Sequence, residues 1–257
     1  MASYAPEQVI SVKHWNDKLF SFRTTREESL RFRNGEFIMV GLEGEPRPVM
    51  RAYSIASANH DDFLEFYSIK VPDGALTSRL QNIAIGDHVL IGKKPTGTLV
   101  TTDLLSGKNL FLIATGTGLA PFLSIIQDPD TYEQFERVIL FHGVRHISEL
   151  GYYEWLSESL PNHEYLGELI SNQLTYYPSV TGEPFENQGR ITDLLRGGKL
   201  CKQLGLPPLN RETDRAMLCG SPSMLTETRD LLDEMGFEIS PKTGVAGDYV
   251  IERAFVE

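Results

Sequence analysis

The chain has 257 residues, 41% of them hydrophobic and 23% charged, with 22 Gly and 14 Pro; it is longer than the ~100 to 200 residues of one typical domain and has the composition of a folded globular protein, not a disordered one. Its apolar runs, such as 110–114 and 37–40, fall far short of the ~18 to 20 residues that span a bilayer, and the opening MASYAPEQVISVKHW lacks the basic flank and apolar segment of an export signal. A net charge of −11 argues against nucleic acid as a partner, while Cys201 and Cys219 alone are too few for a disulfide framework and point to free thiols in a reducing cytoplasm.

In chain order, six short segments of β-type composition come first, at 8–13, 19–24, 37–42, 50–57, 63–70 and 88–92. Turn formers separate them, including Asn34-Gly35, Pro72-Asp73-Gly74 and Gly86-Asp87, and this spacing predicts a small antiparallel barrel or sandwich. From Asn109 the pattern changes. NLFLIA reads as a buried parallel strand leading through TGTG into a helix over 119–127; RVILFH (137–142) repeats the strand and 148–160 the helix. LTYYPSV, GRITDLLRGGKL, RAMLCG and SMLTETRDLLDEM continue the alternation and DYVIERAF closes it as a strand, which predicts a parallel sheet covered by helices on both faces. The boundary is expected in 101–108, giving one domain over 1–102 and a second over 103–257. The first 105 residues carry 12 Lys and Arg against 13 Asp and Glu and the remainder 12 against 22, so an acidic partner or ligand is expected to approach the first half or to find a local basic site in the second.

The strongest local signal is Thr115-Gly116-Thr117-Gly118 at a strand-to-helix junction, where glycines admit a close ligand and helix-start amides favour an anion. It falls short of the full G-x-G-x-x-G pattern, and a purely structural turn remains an alternative on these residues alone. The next strand ends in His142-Gly143-Val144-Arg145, with a base where NAD-selective domains usually carry an acid; Arg145, and Arg190 as a second contact, suit a ribose 2'-phosphate. One charge-assisted hydrogen bond from each would favour NADPH roughly tenfold per arginine. His142 and His146 have helical zinc spacing, but they flank a predicted strand end without an H-E-x-x-H carboxylate, so no metal is expected.

Taken in order, R-A-Y-S (51–54), G-A-L-T-S-R-L (74–80), T-G-T-G-L-A-P (115–121), C-G-S-P-S-M (219–224) and the terminal I-E-R-A-F-V-E resemble the ferredoxin/flavodoxin–NADP(+) reductases, closest to the bacterial type, over essentially the whole chain. The resemblance implies a Greek-key β-barrel that binds FAD, followed by a Rossmann-like α/β domain for NADP(H), with the flavin between them. On it, Arg51 pairs with the FAD pyrophosphate, Tyr53 stacks on one flavin face and Ser54 sets its hydroxyl near N5, flanked by Ala52. Ala75, Leu76 and Thr77 complete the pyrophosphate cradle, and Phe66, Tyr67, Ser68, Ile69 and Lys70 line the flavin edge. Ala254 falls where plant-type relatives carry a stacking aromatic, and Phe255 stacks on the FAD adenine. The NADP site comprises Thr115, Gly116, Thr117, Gly118, Val144, Arg145, Arg190 and Met224. Cys219 and Glu252 take auxiliary nicotinamide-side roles. Where relatives have arginine between Thr181 and Glu183, this chain has Gly182, which weakens the expectation of NADPH selectivity.

The implied reaction is hydride transfer from NADPH to FAD, then single electrons to ferredoxin or flavodoxin, by a monomer in the cytoplasm. Both carriers are generally acidic, and Arg23, Arg26, Arg31, Arg33, Lys93 and Lys94 read either as a docking face for them or as a solvated charge run. The alternatives are an NAD(P)H-dependent flavin, cytochrome or iron–sulfur-partner reductase of the same superfamily, and a non-catalytic FAD-binding subunit.

Overall fold

A computed structural model describes residues 3–253. Six antiparallel strands form the first sheet: β1 (Tyr4–His14), β2 (Leu19–Thr25), β3 (Phe37–Leu42), β4 (Val49–Ser54), β5 (Phe63–Ile69) and β6 (His88–Gly92). Their order is β4-β3-β6-β1-β2-β5, so the chain leaves the β1–β2 hairpin, crosses to β3 and β4, returns to β5 beside β2 and ends in β6 between β3 and β1. This is a Greek-key barrel. Alternate residues point inward, and Val9, Phe20, Phe22, Ile38, Val40, Leu64, Phe66, Val89 and Ile91 fill its core. The short helix α1 (Thr77–Leu80) adds Leu80 to that core, with Leu76 just before it. Among the described residues no ladder joins the two edge strands β4 and β5, and the barrel is open there.

The second sheet is wholly parallel, with β7 (Asn109–Thr115), β8 (Arg137–Val144), β9 (Leu174–Val180), β10 (Asp214–Gly220) and β11 (Tyr249–Arg253) in the order β11-β10-β7-β8-β9. The strands are apolar on both faces because both are covered. In β7, Leu110, Leu112 and Ala114 face one core with α2 (Ala120–Ile125), α3 (Pro129–Gln134) and α4 (Gly167–Gln173), while Phe111 and Ile113 face the other with α5 (Ile191–Arg196), α6 (Lys199–Gln203) and α7 (Pro222–Glu234). Strand order reverses at β7, and in open α/β sheets the crevice outside the strand ends at such a switch point is where ligands bind.

Two expectations about local structure need correction. The stretch 148–160 is not one regular α-helix: a 3-10 turn at Ile147–Glu149 and a turn at 151–152 interrupt it, and the helical part over 153–162 passes through a π-turn at Trp155–Ser159 into a second 3-10 turn at Leu160–Asn162. The break is where the segment docks on the barrel, with Tyr152 in the left-handed region at φ 64° and its hydroxyl donating to Glu65 Oε1 at 2.7 Å. Likewise, 119–127 begins one turn earlier, as a 3-10 turn over Gly116–Leu119 that runs into α2. No helix among the described residues is long and apolar enough to cross a membrane.

Candidate active site

The opening between β4 and β5 is a cavity of about 450 Å³. β4 contributes Arg51, Ala52, Tyr53 and Ser54, β5 contributes Tyr67, Ser68 and Ile69, and the loop into α1 contributes Val71, Asp73, Gly74, Ala75, Leu76 and Thr77. Tyr53 is held from two sides. The Phe66 ring stands edge-on to it at 6.2 Å, and its hydroxyl lies 3.2 Å from Ser68 Oγ. Since Ser68 Oγ already donates to the Ile69 carbonyl at 3.1 Å, the Tyr53 hydroxyl is the donor. Burial pushes the pKa of this phenol up, so it stays protonated. Arg51 is exposed at the rim; its guanidinium donates to the Met50 carbonyl at 2.9 Å and has no carboxylate partner among the described residues. An aromatic face, hydroxyls and an uncompensated cation on one wall suit a ligand with a flat ring at one end and an anion further along.

A second cavity of about 650 Å³ lies at the carboxyl ends of the parallel strands and shares Ile69 and Thr117 with the first. Thr115, Gly116, Val144, Arg145, Arg190 and Met224 line it, as do Lys18, Glu149, Thr181, Ser221, Ser223 and Glu227. Thr115 Oγ1 accepts the Ser221 N–H at 2.9 Å and so ties the glycine turn to the start of α7, where Ser221 also caps the helix. The two arginines differ. Arg190 pairs with Glu227 at 2.6 Å, and Thr192 donates to the same carboxylate at 3.2 Å. Among the described residues the Arg145 guanidinium has no ion pair; its backbone is held instead, by Glu149 Oε2 accepting the Arg145 N–H at 3.0 Å. Gly182 donates to the Arg145 carbonyl at 2.7 Å, and a Cβ there would lie 2.6 Å from that oxygen, so this backbone admits no side chain at 182.

Five other residues singled out above lie off the cavity walls. Phe66 is fully buried in the barrel core beneath Tyr53, because inward positions alternate along β5. Lys70 turns away to donate to the Asn16 carbonyl at 2.7 Å. Gly118 packs against β10, where a Cβ would lie 2.6 Å from the Cys219 carbonyl carbon. Cys219 is fully buried, and burial, with the nearby Glu252 carboxylate, pushes its thiol well up, so it is protonated. Its register partner Glu252 reaches back to the barrel side, accepting the Thr98 N–H at 2.9 Å and the Thr98 hydroxyl at 3.3 Å. Burial raises the Glu252 pKa to about 7 against those two bonds, with Glu36 adding to the rise. Ala254 and Phe255 lie outside the described residues.

The expected docking face is also reduced. Arg23 pairs with Glu65, Arg33 pairs with Glu36, and Arg26 and Arg31 spend their guanidinium N–H groups on carbonyls including those of Leu30, Asp61 and Glu28. Lys93 and Lys94 are exposed and, among the described residues, unpaired. Sequence reasoning missed Lys18 and Glu149, which reach the second cavity through long-range packing. Ser221 had a local signal, the S-P-S-M helix start.

Comparison with known proteins agrees with this division. Residues 8–100 match the family described as the oxidoreductase FAD-binding domain, and residues 112–230 match the oxidoreductase NAD-binding domain. The chain is 61% identical to a ferredoxin–NADP reductase of Pseudomonas aeruginosa, with all of both chains covered. It is 49% identical to a flavodoxin/ferredoxin–NADP reductase of Rhodobacter capsulatus, with 97% and 93% covered. Among solved structures, a ferredoxin NADP+ reductase of Neisseria gonorrhoeae with bound FAD and NADP superposes with a TM-score of 0.89 at 30% identity, covering 99% of this chain and 100% of that one.

Proposed function

Because the chain belongs to the ferredoxin–NADP reductase family, we propose that it is an FAD-dependent oxidoreductase that takes electrons from NADPH and passes them singly to ferredoxin or flavodoxin. When bound, FAD supplies a group that accepts two electrons together and releases them one at a time. The observation that carries this reading is the shared wall of the two cavities: Ile69 and Thr117 belong to both, so a ligand along the β4 edge and one over the glycine turn meet there.

The chain's own residues supply binding, orientation and proton control. Arg51, free of any carboxylate, neutralises the FAD pyrophosphate with the amides around Ala75, Leu76 and Thr77. Tyr53, locked by Phe66 and Ser68, presents its ring to the flavin, while Ser54, Ala52, Ser68 and Ile69 line the edge. Thr115, Gly116 and Thr117 hold the NADP pyrophosphate, and Arg145, Arg190, Val144 and Met224 hold the adenosine end. Glu252 holds a proton near neutrality and Cys219 stays a thiol beside it, consistent with roles in positioning and proton handling. The domains divide at 102/103, and a cytoplasmic monomer fits the chain. Lys93 and Lys94 carry the attraction for an acidic carrier.

The test is the anaerobic visible spectrum of the purified protein, before and after one equivalent of NADPH, with NADH in parallel. A yellow protein bleached much faster by NADPH is expected. Arg190's engagement by Glu227 and the absence of a side chain at 182 favour a second reading of weaker selectivity, for which NADH would bleach nearly as fast. A colourless protein that takes up no FAD would overturn both.

A further inference from the structure

Below the glycine turn, the fully buried His142 on β8 makes two hydrogen bonds: its Nε2 lies 3.1 Å from the Gly116 carbonyl and its Nδ1 lies 3.2 Å from the Tyr176 hydroxyl on β9. A carbonyl can only accept, so Nε2 carries the proton and Nδ1 accepts from Tyr176. The chain of bonds therefore runs from β9 through β8 to the turn at the end of β7, in one direction.

We propose that His142 is a positioning residue for NADP(H): it pulls the Gly116 carbonyl inward and so turns the Thr117 N–H outward to the pyrophosphate. In a trans peptide the C=O and the following N–H point to opposite sides, so anchoring one directs the other. A carbonyl left to rotate outward would set a negative dipole against an anion. Thr117 lies on the wall common to both cavities, which makes its N–H the one whose direction matters most there. Burial lowers the His142 pKa to about 4, against the opposing effect of the Gly116 bond, so the ring keeps one proton and the tautomer is set by its neighbours. His142 touches neither cavity, and the resemblance that assigns the other site residues assigns it nothing.

This inference rests on the second cavity being the NADP(H) cleft, and the experiment separates the two. NADP+ binding is measured by calorimetry on the FAD-loaded protein for wild type, His142→Gln and His142→Asn. Glutamine can place an amide N–H where Nε2 stands, whereas the shorter asparagine reaches only the Nδ1 position. The Kd is expected to stay within about threefold of wild type in His142→Gln and to rise about tenfold in His142→Asn, with flavin content unchanged in both. Equal affinity in the two variants would overturn the inference alone; no NADP+ binding by wild type would overturn the cleft assignment and the inference with it. Should both variants fail to fold, nitrogen NMR of the wild-type histidines decides. One ring protonated at Nε2 and unchanged between about pH 6 and 8 is expected, and an Nδ1-protonated His142 would sink the proposal.

Discussion

Glu252 shows how one residue couples fold to pH. Its carboxyl is buried with Thr98 as its only hydrogen-bond partner among the described residues, and its pKa rises from 4.5 to about 7. The folded chain thus binds this proton more tightly than the unfolded chain. The stabilising contribution is complete below about pH 4.5 and is lost as pH rises through about 7. At about 1.4 kcal/mol per pH unit, the whole excursion is about 3 kcal/mol. Urea unfolding of Glu252→Gln should therefore show a flatter stability profile between about pH 5 and 7 than wild type. A second residue-scale contrast separates the two arginines of the cleft. Arg190 must leave a 2.6 Å ion pair with Glu227 to meet a phosphate, whereas Arg145 has no such competitor among the described residues. Arg145→Ala should lower the ratio of kcat/KM for NADPH over NADH about tenfold, and Arg190→Ala should lower it less.

At the scale of elements, the turn between β7 and α2 carries the greatest steric constraint. Gly118 abuts the β10 backbone at Cys219 and Gly220, so Gly118→Ala must push the turn away from the sheet. A cost of about 1–3 kcal/mol and a fall of several degrees in Tm are expected, with NADP+ affinity reduced in parallel. Elements of both domains were readable where burial imposes a strict pattern. NLFLIA is apolar on both faces because both faces of β7 are covered, and 37–42 and 88–92 have the bounds their alternation and flanking turns indicate. The segment 148–160 was misread for a physical reason. Its spacing of Leu150, Tyr153 and Leu156 suits a helix, but the Tyr67 hydroxyl packs against Gly151, and Tyr152 turns left-handed to reach Glu65. Contacts with the barrel override local helical preference there.

In the whole molecule, two further fastenings join the sheets besides the Thr98–Glu252 bonds. On one side Asn34 donates to Asp128 at 2.7 Å and accepts from Ser124 at 2.8 Å. On the other, Tyr152 lies between Trp15 and Tyr67, with ring centroids at 4.6 and 5.2 Å. Tyr152→Phe would leave Glu65 Oε1 without that donor while Arg23 keeps the other oxygen. A loss of about 1–3 kcal/mol is expected, with faster hydrogen exchange over 147–162 and unchanged FAD content; exchange unaltered in that segment would contradict a fastening role. Attraction between whole molecules is the other property at this scale. With the neighbouring arginines engaged internally, reversing the charge of Lys93 and Lys94 should raise the KM for ferredoxin several-fold at low salt and much less at high salt.

The linear chain by itself determined the two-domain plan, the barrel before the parallel sheet, and the motifs 51–54, 74–80 and 115–118, because turn residues, apolar periodicity and backbone–anion chemistry are local. Only the tertiary structure decided which candidates share a wall. It set Phe66 behind Tyr53, turned Lys70 to Asn16, occupied Arg190 with Glu227, and brought His142 under Gly116 and Tyr67 into the flavin-side cavity. Each of these depends on partners far apart in sequence or on the face a strand residue takes. Such choices are made when strands pair and cores close, not by the residues on either side.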